Sequence, residues 1–224
     1  YTRWSHQVKT PLAALRLLIR EEPIDRTACE NELLKTEQYV EMALQYQRLD
    51  SETTDFVFEE TDLDEIIRGA VKKYARQFIA KKISLSYEPV ERTVITDKKW
   101  LSFVIEQVIS NAVKYTKTGG IKIYLEDGDG TMSVPVQKAS HRKEDDGENS
   151  GMKSVRLVIE DTGIGIRAED LPRICEMGYT GCNGHEGQHS SGIGLYLCSR
   201  ILKKLGHTFA ITSKEGVGTV VKIG

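Results

Sequence analysis

Four short stretches hold the residues whose types and spacing could do chemistry. The first is SHQVKTPLAAL, residues 5–15, where a histidine stands five positions before a proline. At helical spacing His6 and Thr10 lie one turn apart on one face, and Val8, Leu12, Leu15 and Ile19 mark an apolar stripe beside it, so His6 is displayed rather than buried. Pro11 cannot donate the amide bond that the Gln7 carbonyl would receive, which loosens or bends the helix just after His6. The second stretch is DTGIG, residues 161–165, directly after a strand-like run. Asp161 then sits at a sheet end facing a cleft, while Gly163 and Gly165 let the backbone approach a flat ligand. A dinucleotide fold would need a third glycine, and it is missing.

The third stretch, SSGIGLYL at 190–197, carries Gly192 and Gly194, and Gly192 is expected to open a helix whose free amides and dipole favour a phosphate. Between the two glycine pairs, residues 178–191 form a Gly- and His-rich loop able to fold over a ligand. The fourth stretch is SNAVKYT at 110–116, on an amphipathic helix. There Asn111 offers a neutral oxygen to a magnesium ion, and Lys114 offers charge to a phosphate. Each stretch alone reads as ordinary surface or turn. An Asn among the apolar residues of that helix is harder to set aside, because a buried amide without partners is expensive.

These residues need elements to hold them. Residues 2–22 read as one helix broken at Glu-Glu-Pro, after which Asp25 caps a second helix reaching about residue 49. Cys29, Leu33, Thr36, Val40, Ala43, Leu44 and Gln47 on that helix lie close to a heptad seam. One hairpin buries too little area to stand alone, so a homodimeric four-helix bundle is expected. The hairpin occupies 1–50, a polar linker 51–58, and a second domain of layered sheet and helices 59–224, an α+β arrangement overall.

Within that domain a strand is expected at 56–60, then Asp62 as N-cap with Glu65 closing a capping box for a helix to about 81. Strands follow at 84–88 and 93–96, a helix starting at Asp97, and strands at 121–125 and 154–160. The polar segment 127–152 reads as a mobile insertion between two antiparallel strands. Asp170 should cap a short helix, a helix should run from Gly192 to about 205, and two last strands should span 207–213 and 219–223.

Composition narrows the partners. With 31 Lys and Arg against 33 Asp and Glu, the formal charge of −2 provides no basic excess to neutralise a phosphate backbone, so nucleic acid is not a partner. Cys29, Cys175, Cys182 and Cys198 show no paired close spacing, and no signal peptide or bilayer-length apolar run accompanies them, which points to a reducing, cytosolic setting. The abrupt start, a few residues before a helix and without an initiator Met, suggests a fragment of a longer protein.

The three boxes of the second domain, in this order, resemble the α/β-sandwich ATP-binding domain shared by sensor histidine kinases, gyrase, mismatch-repair and heat-shock ATPases. The His-x-x-x-Thr-Pro box ahead of them is similar to that of the histidine kinases. The resemblance implies ATP and Mg2+ as cofactors, His6 as phosphoacceptor, Asp161 as acceptor of the adenine amino group and Asn111 as magnesium ligand. It implies further that Gly163 and Gly165 shape the adenine pocket, that Gly192 and Gly194 line the phosphates, and that Tyr115 and Thr219 flank the base. LPRICEMGYTG, residues 171–181, resembles the aromatic box before an ATP lid, with Cys175 where Phe is usual. Three further features depart from the pattern: Gln7 replaces the acid that usually follows the histidine, Gln107 replaces a second Asn near the metal, and the long insertion at 127–152 is added.

As to partners, the same resemblance implies phosphotransfer to an Asp of a response regulator, with Thr10 able to place a water for the reverse dephosphorylation. SHQVKTP is similar to the box of small intramembrane-sensing kinases that answer peptide antibiotics beside an ABC transporter, which implies a membrane anchor ahead of Tyr1. Two rival readings remain on the sequence. One is a noncatalytic ATP-binding scaffold, marked by Gln7 and Gln107. The other is a zinc module built on Cys175, Cys182, His185 and His189.

Overall fold

The computed structural model describes residues 2–51, 56–127, 155–181 and 191–224, with the backbone alone at 2–6. The insertion expected at 127–152, apart from Asp127, and the trio Cys182, His185 and His189 lie outside the described residues. Contacts divide the chain into two compact units, Tyr1–Phe56 with Arg173–Cys198, and Val57–Pro172 with Ser199–Gly224.

In the first unit α1 (Thr2–Leu18) packs against α2 (Arg26–Asp50) as a hairpin. Asp25 caps α2, its carboxylate accepting the Ala28 amide at 3.0 Å. α1 ends at Leu18 rather than near 22. Its last turn tightens into bonds from Arg20 to Leu17 and from Glu21 to Leu18, and Pro23 holds the residue before it out of helical backbone. The inward face of α1 also differs from the expected stripe: Pro11 is buried, Gln7, Val8, Ala14, Leu15 and Leu18 are half-buried, and Leu12 and Ile19 are exposed. On α2 the buried residues are Met42, Gln45 and Leu49, whereas Leu33, Val40 and Leu44 are 47%, 44% and 42% exposed. A bundle helix presents apolar residues to two neighbours, and α1 covers only one such face.

The second unit holds β1 (Glu59–Asp62), α3 (Leu63–Lys81), β2 (Ser84–Tyr87), β3 (Thr93–Thr96), α4 (Lys98–Tyr115), β4 (Gly120–Asp127), β5 (Val155–Asp161), β6 (Phe209–Lys214) and β7 (Gly218–Ile223). α5 (Gly194–Leu205) runs from the first unit's segment into this one. The strands form two sheets. β1 pairs antiparallel with β3, shifted from the expected 56–60, and the main sheet has the order β2-β4-β5-β7-β6. Among the described strands, only β2 and β4 run parallel in it.

Alternation sets the faces of that sheet. Ile121, Ile123, Leu157, Ile159, Val221 and Ile223 are buried, while Lys222 on the other face reaches Glu126 at 2.6 Å. α3 packs on α4 and α4 on β5, bringing Ile67, Tyr74, Val104, Ile105 and Ile109 into the core. Asp62 caps α3 through the Asp64 amide at 2.9 Å, but Glu65 does not close the box, since its carboxylate takes Lys98 at 2.7 Å instead. Asp97 caps α4 through the Lys99 and Trp100 amides at 3.0 and 3.1 Å.

Candidate functional site

Asp161 is the last residue of β5, on the helix-covered face with Leu157 and Ile159. Its Oδ1 accepts the Gly163 amide at 2.8 Å, and the Thr219 amide, from the residue opposite it on β7, also donates to the carboxylate. Burial pushes the Asp161 carboxyl above its usual range, and the two amide bonds pull it part of the way back. A part-buried acceptor aimed from a strand end is suited to an exocyclic amine.

The glycines beside it leave no room for a side chain. A Cβ on Gly163 would lie 2.7 Å from Asp161 Oδ1 and 2.8 Å from the Tyr115 carbonyl oxygen. Gly165 has φ +69°, and its Cβ would meet the Lys214 carbonyl oxygen at 2.1 Å. The loop is pinned from both sides: the Ile164 amide donates to the Tyr115 carbonyl at 3.2 Å, and the Gly216 amide donates to the Ile164 carbonyl at 2.8 Å. Two residues that sequence reasoning missed complete it. Ser213 Oγ accepts the Ile166 amide at 2.9 Å, donates to the Gly218 carbonyl at 2.8 Å and lies 3.0 Å from Thr219 Oγ1. Gly218, at φ +143°, would place a Cβ 1.9 Å from the Asp161 carbonyl oxygen. The Gly-Val-Gly-Thr run at 216–219 was the available signal.

On α4, Gln107 is buried and Asn111, one turn on, is half-buried, and among the described residues neither side chain has a hydrogen-bond partner. Such amides suit an oxygen-seeking cation, or a water bound to one. Lys114 Nζ lies 5.2 Å from the centroid of the Tyr115 ring.

In the other unit, Gly192 does not begin a helix. It has φ +66°, its carbonyl accepts the Gly178 amide at 2.8 Å, and a Cβ there would lie 2.5 Å from the Gly178 carbonyl carbon. α5 starts at Gly194. Ile193 takes the cap position, its carbonyl accepting the Leu197 amide at 2.9 Å and its own amide donating to Ser191 Oγ at 3.2 Å. Asp170 precedes a 3-10 turn, Leu171–Arg173, not an α-helix. Cys175 is half-buried with its thiol pKa raised by that burial, and no group of three metal-ligating side chains occurs among the described residues. His6 lies within α1; Thr10, one turn on, is exposed, and among the described residues Gln7 Oε1 is buried without a partner.

The structure thus brings Tyr115, Asp161, Gly163, Gly165 and Thr219 together in one unit, with Gln107, Asn111 and Lys114 on the helix that ends at Tyr115. His6, Gln7, Thr10, Gly192 and Gly194 belong to the other.

Residues 96–224 match the family described as Histidine kinase-, DNA gyrase B-, and HSP90-like ATPase. The chain is 34% identical to the sensor histidine kinase YxdK of Bacillus subtilis, over 98% of this chain and 62% of that protein. It is 30% identical to the sensor protein BceS of the same organism, over 97% of this chain and 59% of that one. It therefore spans about three fifths of the relatives it matches. A crystal structure of the histidine kinase ThkA in complex with the response regulator protein TrrA superposes with a TM-score of 0.62 at 20% identity, over 99% of this chain and 59% of that one, a likeness of fold. No helix among the described residues is long and apolar enough to cross a membrane. The chain belongs to the histidine kinase-, DNA gyrase B- and HSP90-like ATPase family, and it is the sensor histidine kinases of that family that it matches almost from end to end.

Proposed function

We propose that this chain is the phosphoacceptor and catalytic region of a two-component sensor kinase, dividing into a hairpin at 1–50, a linker at 51–58 and an ATP-binding domain at 59–224. The observation that carries this is the Asp161 carboxylate at a strand end beside glycines that admit no Cβ, in a domain of matching family. Asp161 accepts the adenine amino group. Gly163 and Gly165 keep the pocket floor flat, Tyr115 and Thr219 flank the base, and Gly192, Gly194 and Lys114 receive the phosphates. Asn111 and Gln107 would hold Mg2+, which when bound offsets phosphate charge. A ring nitrogen of His6 takes the γ-phosphoryl group in line as ADP leaves, and most of the acceleration comes from positioning and electrostatics.

The phosphoryl group then passes to an Asp of a response regulator, the class of partner that ThkA holds in its complex. Thr10, exposed beside His6, places the water for the reverse step. The exposed Leu33, Val40 and Leu44 support a homodimer. Membrane anchorage ahead of Tyr1, and an ABC transporter partner, rest on the SHQVKTP box and on the sensor relatives.

Incubation with labelled ATP and magnesium tests the reading. A kinase yields an acid-labile, base-stable phosphoprotein that His6→Ala abolishes while nucleotide binding persists. Binding without any labelling would leave the scaffold reading instead, and labelling that persists in His6→Ala would remove His6 as acceptor.

A further inference from the structure

The end of α4 must find partners for its last carbonyls. The Ala112 carbonyl takes the Thr116 amide at 3.0 Å, and the Tyr115 carbonyl takes the Ile164 amide at 3.2 Å. The two between them are met by one side chain from another helix. Lys81, the last residue of α3, directs Nζ to the Val113 carbonyl at 2.6 Å and the Lys114 carbonyl at 3.0 Å, with the Thr116 carbonyl at 3.4 Å. An ammonium group there also complements the negative end of the helix dipole. Lysines normally carry their charge out to water. Lys81 is half-buried, and that burial lowers its pKa, so its charge has given up water for these carbonyls.

The turn that Lys81 caps is the turn that serves the nucleotide. It holds Lys114 and Tyr115 and follows Asn111 directly, and the Tyr115 carbonyl supports Ile164 while packing against the position where a Gly163 Cβ would stand. We propose that Lys81 is a positioning residue for the nucleotide pocket: by tying three carbonyls at the end of α4 it sets Asn111, Lys114 and Tyr115, and through Tyr115 the Gly163–Ile164 backbone on which Asp161 rests. The inference rests on the reading of this pocket as an ATP site. Lys81 touches no substrate, and its effect passes through the groups it holds.

The test uses the whole chain with Lys81→Met and Lys81→Arg. Each is titrated with Mg-ATP by calorimetry, melted without nucleotide, and assayed for single-turnover labelling across an ATP series. Lys81→Met should weaken ATP binding about tenfold or more, raising the ATP concentration for half-maximal rate while the rate at saturation changes far less. Lys81→Arg, which keeps a positive charge and several N–H donors for the carbonyls, should recover most of that affinity. A mere helix cap would lower the melting temperature of Lys81→Met and leave ATP affinity as in the parent, and that result overturns the proposal. So does Lys81→Arg binding ATP as weakly as Lys81→Met. If Lys81→Met does not fold, Lys81→Gln is titrated in its place: parental affinity overturns the proposal, and weakened affinity supports it. A parent chain that fails to bind ATP removes the nucleotide reading itself, an outcome distinct from all of these.

Discussion

Asp161 and Gly163 are bonded to each other across a single residue, carboxylate to amide at 2.8 Å, and a side chain on Gly163 would fall 2.7 Å from the same carboxylate oxygen. One strand end therefore fixes the rotamer of the acid and clears the space in front of it. Because these two demands fall on neighbouring positions, neither residue has a conservative substitute.

Asp161→Asn should lower ATP affinity by about tenfold or more, since a charged acceptor is lost and an amide N–H faces the Thr219 amide. Burial raises the carboxyl pKa, so parental affinity should fall on acidification from a higher pH than an ordinary carboxylate would show, and the Asn variant should be flat there. Stability moves the other way. With a folded pKa above the unfolded one, the carboxyl's contribution is full in acid and is lost as pH rises through the folded pKa, so unliganded Asp161→Asn should gain on the parent between acid and neutral pH. Paired titration and melting series check both signs.

Two glycine substitutions should have opposite effects. Gly69, exposed in α3, has nothing within 4 Å of an added Cβ, so Gly69→Ala should stabilise by about 0.5–1 kcal/mol. Gly218→Ala meets both a positive φ and the Asp161 carbonyl oxygen at 1.9 Å, and should destabilise by about 1–3 kcal/mol or more. Denaturant melts of the two variants beside the parent provide the comparison.

Charges on the open face of α2 should separate a dimer. Leu33→Glu with Leu44→Glu alters residues 47% and 42% exposed in the single chain, so the hairpin loses little of its own packing. Sedimentation should show a monomer for the variant and a dimer for the parent, with nucleotide affinity unchanged. Equal masses would remove the four-helix bundle.

Gln7 directly follows the proposed phosphoacceptor, and among the described residues its Oε1 is buried without a partner. Gln7→Glu would desolvate a carboxylate and raise its pKa, which makes it a stronger base. Single-turnover phosphorylation of His6 should then speed up by some part of the roughly 100-fold to 10,000-fold typical of general-base help. Glu should also lower the melting temperature at neutral pH and recover it in acid, while Gln7→Ala, which removes an unsatisfied atom, should be nearly neutral. A Glu variant slower than the parent would show that the site is built around the amide.

Local signals in the sequence carried a long way. Asp25 and Asp62 act as caps, α3 ends at Lys81 and β3 spans Thr93–Thr96 as expected, because capping and strand alternation depend on near neighbours, while Asp97, expected as the first residue of its helix, caps α4 from one position outside it. The features that escaped depend on distant ones. Gly192 is left-handed because its carbonyl meets the Gly178 amide, a contact that helix-start rules do not encode. Glu65 was claimed by Lys98 from another helix. The separation of β1 and β3 from the main sheet is a matter of pairing, on which alternation is silent. The Asp161 end of the site was legible because its acid and glycines are contiguous, whereas Ser213 on β6 and Gly218 on β7 are far from it in sequence and reach it only through tertiary contacts.

The strand order β2-β4-β5-β7-β6 governs how such a chain is made. β4 precedes β5 in the chain and is available to pair with it once both are synthesised, but the other edge of β5 waits for β7, the last described strand. At about 5–20 residues per second on the ribosome, β7 arrives seconds after β5. During that interval an apolar strand stands with one row of unpaired amides and carbonyls, the feature that invites pairing with another chain. Asp161 has no Thr219 opposite it until then. The site around Asp161, proposed to hold the nucleotide, is therefore among the last features of the nascent protein to form, and a slow or stalled synthesis of β7 should betray itself as aggregation before it shows as lost nucleotide binding.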